Sequence, residues 1–423
     1  MDRDVIVIGG GPGGLSTALH LQQIAPHLAP NILVLEKARY PRLKLCAGGL
    51  VPNAEVLLHR LGLDVGEVPH VDAQDIHFDF EGRGLKVRIP GRHALRIIRR
   101  DEFDAWLASK VRERGMEIRE GVTVRNIVPG VDGVTVETTQ GPFYARVVVG
   151  ADGSNGITRR CLFPGAPVYT ARVLEVLTPD YDVIAMNGAH PERRTKSEVE
   201  GAPRRSSPLV HEEIASGKSA PRNDIHHEAT AYFDFFPVPS NIAGYVWDFP
   251  TQVKGELMRC WGVYDTNILA DQDRPQLKEP LAREMKRLGF DLQDYEIKGH
   301  PIRWFSPWNQ LSAPRVLLVG DAVGADPLFG EGISVALGYG AVAASSIHHA
   351  LQQNDFSFGD YRRRVLRSPL GQTLVMRWLT AHIVYSIKWK WFQILVWRIM
   401  KPVVRAAAWM FVLNWGKKLK PTL

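Results

Sequence analysis

Three glycines and one acid carry the first recognisable chemistry in this sequence. In the stretch DVIVIGGGPGG at residues 4–14, Gly9, Gly11 and Gly14 fit GxGxxG, with Gly10, Pro12 and Gly13 between them. The first such glycine permits a tight turn, the second lets backbone approach a pyrophosphate, and the third lets a helix pack close on a strand. Unpaired N–H groups at the following helix start attract the phosphate. Glu36 stands about twenty residues past the last glycine, where a carboxylate can accept both hydroxyls of an unphosphorylated ribose. A structural glycine turn is the plain alternative. A third reactive group, Cys46, lies just before Gly48 and Gly49, which permit close approach of a planar ligand; a lone cysteine otherwise reads as a small buried hydrophobe.

The surrounding elements must hold these groups. Val5 to Ile8 form a β-branched run that enters the glycines, LSTALHLQQI then has helical spacing, and NILVLEK is a second buried strand ending at Glu36 and Lys37. The order is strand, turn, helix, strand. Further on, IHFDFEG and GLKVRIPG alternate as a hairpin, and IIRRDEFDAWLASKVRERG is a helix with Phe103, Leu107 and Val111 on one face. Short strands then close on Gly150-Ala151-Asp152-Gly153, where the acid either braces a turn or faces a cofactor. ATAYFDFFPV and AGYVWDFPT are aromatic strands, GELMRCWG is a further strand and PLAREMKRLGF a short helix. Val316 to Val319 deliver Gly320-Asp321 to the sheet edge of the first glycine turn. Gly330-Glu331-Gly332 then opens a long helix from Ile333, whose Ala336, Gly340 and Ala344 suit close packing.

Length and composition set the frame. A chain of 423 residues suggests two domains with accessories, and its apolar and charged fractions are those of a globular protein. Cys46, Cys161 and Cys260 lack CxxC spacing, which points away from zinc or iron-sulfur ligation, so no metal is expected. The first strand begins almost at once, leaving no room for a signal peptide, and a reducing compartment is expected. The net charge of +7 resides in residues 361–423, which hold thirteen Lys and Arg, no acidic residue and six of the eleven tryptophans. Residues 188–228 are polar and Pro-rich and read as a flexible insertion.

In this order the blocks resemble the FAD-dependent oxidoreductases of the p-hydroxybenzoate hydroxylase superfamily, and within it the geranylgeranyl reductase family. The resemblance covers residues 2–360. Its general part is GxGxxG with Glu36, Arg100-x-x-Phe103-Asp104, Gly150-Ala151-Asp152-Gly153, Gly320-Asp321 and Gly330-Glu331-Gly332. Its narrower part is Tyr40-Pro41-Arg42-x-Lys44-x-Cys46 followed by Gly48-Gly49, with Ala47 where the family has a third glycine, and Tyr245-x-Trp247-x-Phe249-Pro250, matching a YxWxFP motif.

The resemblance implies an α/β fold: a Rossmann-like FAD-binding domain, an antiparallel-sheet substrate domain and a C-terminal helical segment. The FAD-binding domain is expected from 1–75, 95–165 and 300–360, the substrate domain from 76–94 and 166–299, and a tail from 361–423. FAD would be held by Gly9, Gly11, Pro12, Gly13, Gly14, Glu36, Lys37, Cys46, Gly48, Arg100, Asp321, Gly330, Gly332 and Ile333. Tyr245, Trp247 and Phe249 would line an apolar groove, and ordinary sheet packing is the alternative for that strand. Cys46 is the catalytic candidate, with water and Tyr245 as other proton sources.

The expected activity is reduction of isoprenoid double bonds of a lipid, with NADPH or ferredoxin as electron donor. A flavin monooxygenase or epoxidase is the runner-up. A halogenase would need a WxWxIP motif, and a quinone-linked dehydrogenase an iron-sulfur cysteine set. A flavin-bound scaffold without turnover is a non-enzymatic alternative. The basic, Trp-rich tail, with Lys390, Arg398, Lys401 and Arg405 in one helical quadrant and a break near Pro402, suits peripheral binding to an anionic cytoplasmic membrane surface rather than nucleic acid, and a helical cap packed on the domain is the alternative.

Overall fold

The computed structural model describes residues 2–180, 229–268 and 275–419; the stretch expected as an insertion, 188–228, lies outside the described residues. β1 (Asp2–Ile8) turns at the glycines into α1 (Pro12–Ile24), whose first-turn proline sits where an N–H has no helical partner anyway. β2 (Ile32–Glu36) is buried along its whole length, as suits a strand covered on both faces. Then come β3 (Gly49–Leu50), α2 (Pro52–Arg60), β4 (His70–Ala73), the hairpin β5 (Asp75–Phe80) and β6 (Arg83–Arg88), β7 (Leu95–Ile98) and α3 (Arg100–Glu113). β8 (Glu117–Glu120), β9 (Val124–Pro129), β10 (Val134–Thr138), β11 (Gly141–Gly150), α4 (Ile157–Leu162) and β12 (Thr170–Pro179) follow. The chain continues with β13 (Thr230–Asp234), β14 (Gly244–Val253), β15 (Glu256–Asp265), α5 (Lys278–Arg287), β16 (Lys298–Arg303), β17 (Ser312–Ala313), β18 (Val316–Leu318) and the long α6 (Ile333–Gln353).

Two large sheets result. The first runs β17-β18-β11-β1-β2-β8, with β10 and β9 folded back from β11, and its pairs from β18 to β8 are parallel. The second runs β16-β12-β15-β14-β13-β5-β6 and is antiparallel except where β13 lies beside β5. β3, β7 and β4 form a small third sheet. The fold is the expected α/β combination of a Rossmann-like unit and an antiparallel domain. β16 belongs to the second sheet, so the chain crosses back to the first sheet after residue 303.

The small residues of α6 explain themselves against α1. Ser16 Oγ donates to the Leu337 carbonyl at 3.0 Å, and a β-carbon on Gly340 would come within 2.5 Å of Ser16 Oγ. Close helix contact aligns both N-termini toward the same end of the parallel sheet.

The C-terminal region folds as α7 (Tyr361–Arg367), α8 (Pro369–Ser386), α9 (Lys390–Ile394), α10 (Lys401–Ala408) and α11 (Trp415–Lys418), with π-helical turns at Leu395–Ile399 and Trp409–Leu413. It packs on both domains. Trp397 stacks on Phe235 with centroids 3.9 Å apart, while Trp415 is buried against Gly338 of α6 and the Gly416 N–H donates to Asn53 Oδ1 at 2.9 Å. The packed cap, the alternative reading of this tail, describes these contacts. Lys390 pairs with Glu81 at 2.7 Å, Arg398 donates to the Phe80 carbonyl and Arg405 to that of Lys86, so three of the four cations dock on the β5–β6 hairpin. The apolar residues left outside include Trp389, Trp391, Ile399, Val403 and Trp409. Among the described residues no helix is long and apolar enough to cross a membrane.

Candidate active site

The glycine turn is built as its pattern requires. Gly9 has φ +107°, and a β-carbon there would lie 2.4 Å from the Ala151 carbonyl oxygen, so only glycine fits between β1 and the end of β11. Gly11 precedes α1, and Gly13 faces Gly320, whose Cα is 3.4 Å from where a Gly13 β-carbon would stand. Gly14 is a correction to the expected cofactor set. It lies away from the cavity, and a β-carbon on it would be 2.1 Å from the Gly9 carbonyl oxygen, so it spaces helix from strand.

Glu36 is buried, and its carboxylate accepts from the Gly10 N–H at 2.8 Å and the Ala38 N–H at 2.9 Å. Each oxygen keeps a further lone pair for a ribose hydroxyl. The loop after it is tied to the turn: the Tyr40 hydroxyl and Arg42 Nη2 both donate to the Gly10 carbonyl, and Arg42 also pairs with Asp104 at 3.1 Å. Arg100 holds Asp104 through two hydrogen bonds of 2.9 Å and still turns part of its guanidinium to the cavity. Asp152 Oδ2 accepts from the Thr158 N–H at 2.8 Å and the Thr158 hydroxyl at 3.0 Å, so it braces its turn while lining the same space.

All of this opens on one cavity of about 660 Å³. Gly9, Gly11, Pro12, Gly13, Glu36, Lys37 and Arg100 line one end; Asp321, Gly330, Gly332 and Ile333 line its middle, beside Cys46 and Gly48. Gly48, at φ +81°, lies so close to the Ile98 carbonyl that a β-carbon would come within 1.9 Å, and its N–H donates to Cys46 Sγ at 3.4 Å. Tyr245, Trp247 and Phe249 project from alternate positions of β14 into the far part of the cavity, with Phe233 and Phe329. The Tyr245 hydroxyl donates to the Phe329 carbonyl, and burial pushes its pKa well above 10.

Two features of the cavity belong to no motif in the sequence. The roof of the cavity comes from the C-terminal region: Arg377, Val384, Trp397, Val404, Ala407 and Leu413 all line it. Arg377 is fully buried and bridges Asp326 at 2.9 Å and Glu331 at 2.6 Å, anchoring α8 to the loop that opens α6. The other is Glu175 of β12, an acid in the buried phase of an alternating strand. That misplaced polarity was its only sequence signal.

The residues fit FAD. Two helix N-termini, at Pro12 and Ile333, face a cradle of backbone that side chains would fill, with Glu36 at the ribose end and Cys46 and Gly48 beside a space for a flat ring. Residues 2–195 match the FAD binding domain family. The digeranylgeranylglycerophospholipid reductase 1 of Methanopyrus kandleri is 25% identical over 384 residues, covering 86% of this chain and 85% of its own. The menaquinone reductase of Mycolicibacterium smegmatis is 25% identical over 360 residues, 81% and 75% of the two chains. A geranylgeranyl bacteriochlorophyll reductase-like protein of Thermoplasma acidophilum superposes with TM-score 0.72 at 18% identity over 98% of both chains. The flavin-dependent brominase Bmp2 superposes with TM-score 0.65 at 18% identity, covering 99% and 95%.

Fold and site together define an FAD-dependent oxidoreductase. Its overall architecture is shared with that geranylgeranyl bacteriochlorophyll reductase-like protein.

Proposed function

We propose that this oxidoreductase saturates isoprenoid carbon–carbon double bonds of a lipid drawn from the cytoplasmic face of a membrane. The observation that carries the reading is the continuity of one cavity from Glu36, past Cys46 and Trp247, to Ala407 under the C-terminal roof. A long apolar chain suits such a channel, and the relative from Methanopyrus kandleri is named for a lipid with such chains.

Bound and reduced, FAD would supply the hydride, which carries both electrons of the reduction. The chain does the rest. Tyr245, Trp247, Phe249 and Phe233 give the alkene an apolar, water-poor wall, which holds it in a reactive orientation. The N-terminus of α6 places partial positive charge at Gly332 and Ile333, where negative charge on the reduced cofactor is favoured. Exposed Trp389, Trp391, Ile399, Val403 and Trp409 form the face that meets the lipid surface, with Lys417 and Lys418 exposed nearby in sequence.

The deciding experiment is anaerobic. Dithionite-reduced holoenzyme is mixed with geranylgeranyl diphosphate, a geranylgeranylated glycerolipid or menaquinone, and products are weighed by mass spectrometry. Gain of hydrogen pairs supports the reading. Products that gain oxygen or halogen under air move the protein to the monooxygenase or halogenase branch.

A further inference from the structure

We propose that Glu175 is the proton donor for the double-bond reduction, an assignment that rests on the function proposed above. Glu175 is 4% exposed, lines the cavity, and its Oε2 has no hydrogen-bond partner among the described residues. An ionised carboxylate in that setting is costly, whereas a neutral acid with its proton directed into the cavity is not.

Strand register puts it beside the substrate wall. Glu175 pairs with Gly262 of β15, and Gly262 pairs on its other side with Trp247 of β14. Since Gly262 has no side chain, the Trp247 indole lies across it, 2.0 Å from where a β-carbon would be. Acid and indole therefore border the cavity from two sides of one glycine.

The groups facing Glu175 are Arg99 before α3, Lys298 of β16, the backbone N–H of Cys46, and Cys260 of β15, with His300 of β16 lining the same cavity. Burial outweighs the pull of Arg99, Lys298 and the Cys46 N–H, and raises the Glu175 pKa from its ordinary value, toward the protonated form. His300, pushed down to about 4 by burial and by Lys44 and Arg100, is neutral and adds no cation to draw the proton off. Tyr245 is a poor rival, its hydroxyl being engaged with Phe329 and its pKa raised.

The step balances. One alkene carbon takes a hydride with its electron pair from reduced flavin, and the other takes the Glu175 proton. The π bond breaks, two C–H bonds form, the flavin loses two electrons, and the carboxylate is reprotonated by water. The electrons enter the flavin from an external reductant, dithionite in the test.

The test compares wild-type holoenzyme with Glu175→Gln in anaerobic single turnovers with a geranylgeranylated glycerolipid. The variant is expected to retain FAD and lipid binding while alkene reduction slows by about 10²–10⁴-fold. Glutamine still offers an oxygen to the Cys46 N–H, so a merely positioning role predicts a rate within a few fold of wild type, and that result overturns the assignment. A second readout needs no turnover: the infrared difference between substrate-free wild type and variant should contain a protonated-carboxyl band at neutral pH. Its absence also overturns the assignment. If wild type saturates none of the isoprenoid chains, the functional reading falls and takes the assignment with it; an active wild type with an active variant removes the assignment alone.

Discussion

Arg377 Nη1 lies 2.9 Å from Asp326 Oδ2 across 51 residues of chain, and neither side chain reaches solvent. The same guanidinium meets Glu331, so one cation from the C-terminal roof compensates two carboxylates below it. Replacing it with methionine leaves both acids buried without their cation. Arg377→Met is expected to lose about 3–5 kcal/mol of stability, read from urea unfolding of the FAD-loaded protein. A loss under about 1 kcal/mol would mean that the roof is not anchored there.

Glu36 offers a direct test of the cradle. Glu36→Ala removes the acceptor of two backbone N–H groups and of the ribose hydroxyls. Hydrogen bonds to a charged group contribute about 1.5–3 kcal/mol each, so FAD affinity should fall at least ~10-fold, measured by titration of the apoprotein with flavin. Unchanged affinity would place the adenosine end elsewhere.

His93 makes stability depend on pH. It lies between Asp72, 3.2 Å from its Nδ1, and Glu55 at Nε2; burial lowers its pKa, but the two acids prevail and raise it to about 9. A group whose pKa is higher folded than unfolded stabilises fully below the unfolded value, here 6.5, and loses that contribution as pH rises through about 9. Tm should therefore fall between these pH values in wild type. His93→Gln should show a shallower slope across the same window, and an identical slope would assign the effect to another group.

Membrane contact is tested at the surface rather than by truncation. Ending the chain before α8 would delete Arg377 and Trp397 from the cavity roof, so a lost function would say nothing about lipid. Trp389, Trp391 and Trp409 are 65%, 59% and 49% exposed. Their joint replacement by serine should leave the fold intact and lower partitioning into anionic liposomes at least ~100-fold, given about 1.5–3 kcal/mol for burying a large apolar side chain. Equal flotation of variant and wild type would remove the membrane from the reading.

The parts of this site legible in the sequence are those where the backbone itself is constrained. Gly9 and Gly48 need conformations or contacts that exclude a side chain, and such needs are written locally as glycine patterns. Glu36 is legible because its distance from the turn is fixed by one helix and one strand. Arg377 and the roof residues Trp397 and Ala407 have no local mark, and Glu175 shows only as an acid in the buried phase of its strand. Their roles arise from packing between segments far apart in the chain, and nothing local to Arg398 marks the β5–β6 hairpin, more than 300 residues earlier, as the surface it docks on. Gly14 keeps the packing task that the third glycine of the motif has, and only its inclusion among the cofactor contacts went beyond that.

The pairing of β13 with β5 has an evolutionary corollary. Residues 75–88 belong to a sheet whose other strands come only after residue 169, while the intervening chain supplies much of the nucleotide-binding unit. Neither half can be cut out or exchanged as one contiguous module. Recombination between relatives would sever both halves at once, so new substrate preferences in such a scaffold must accumulate by individual replacements along strands that are already interleaved.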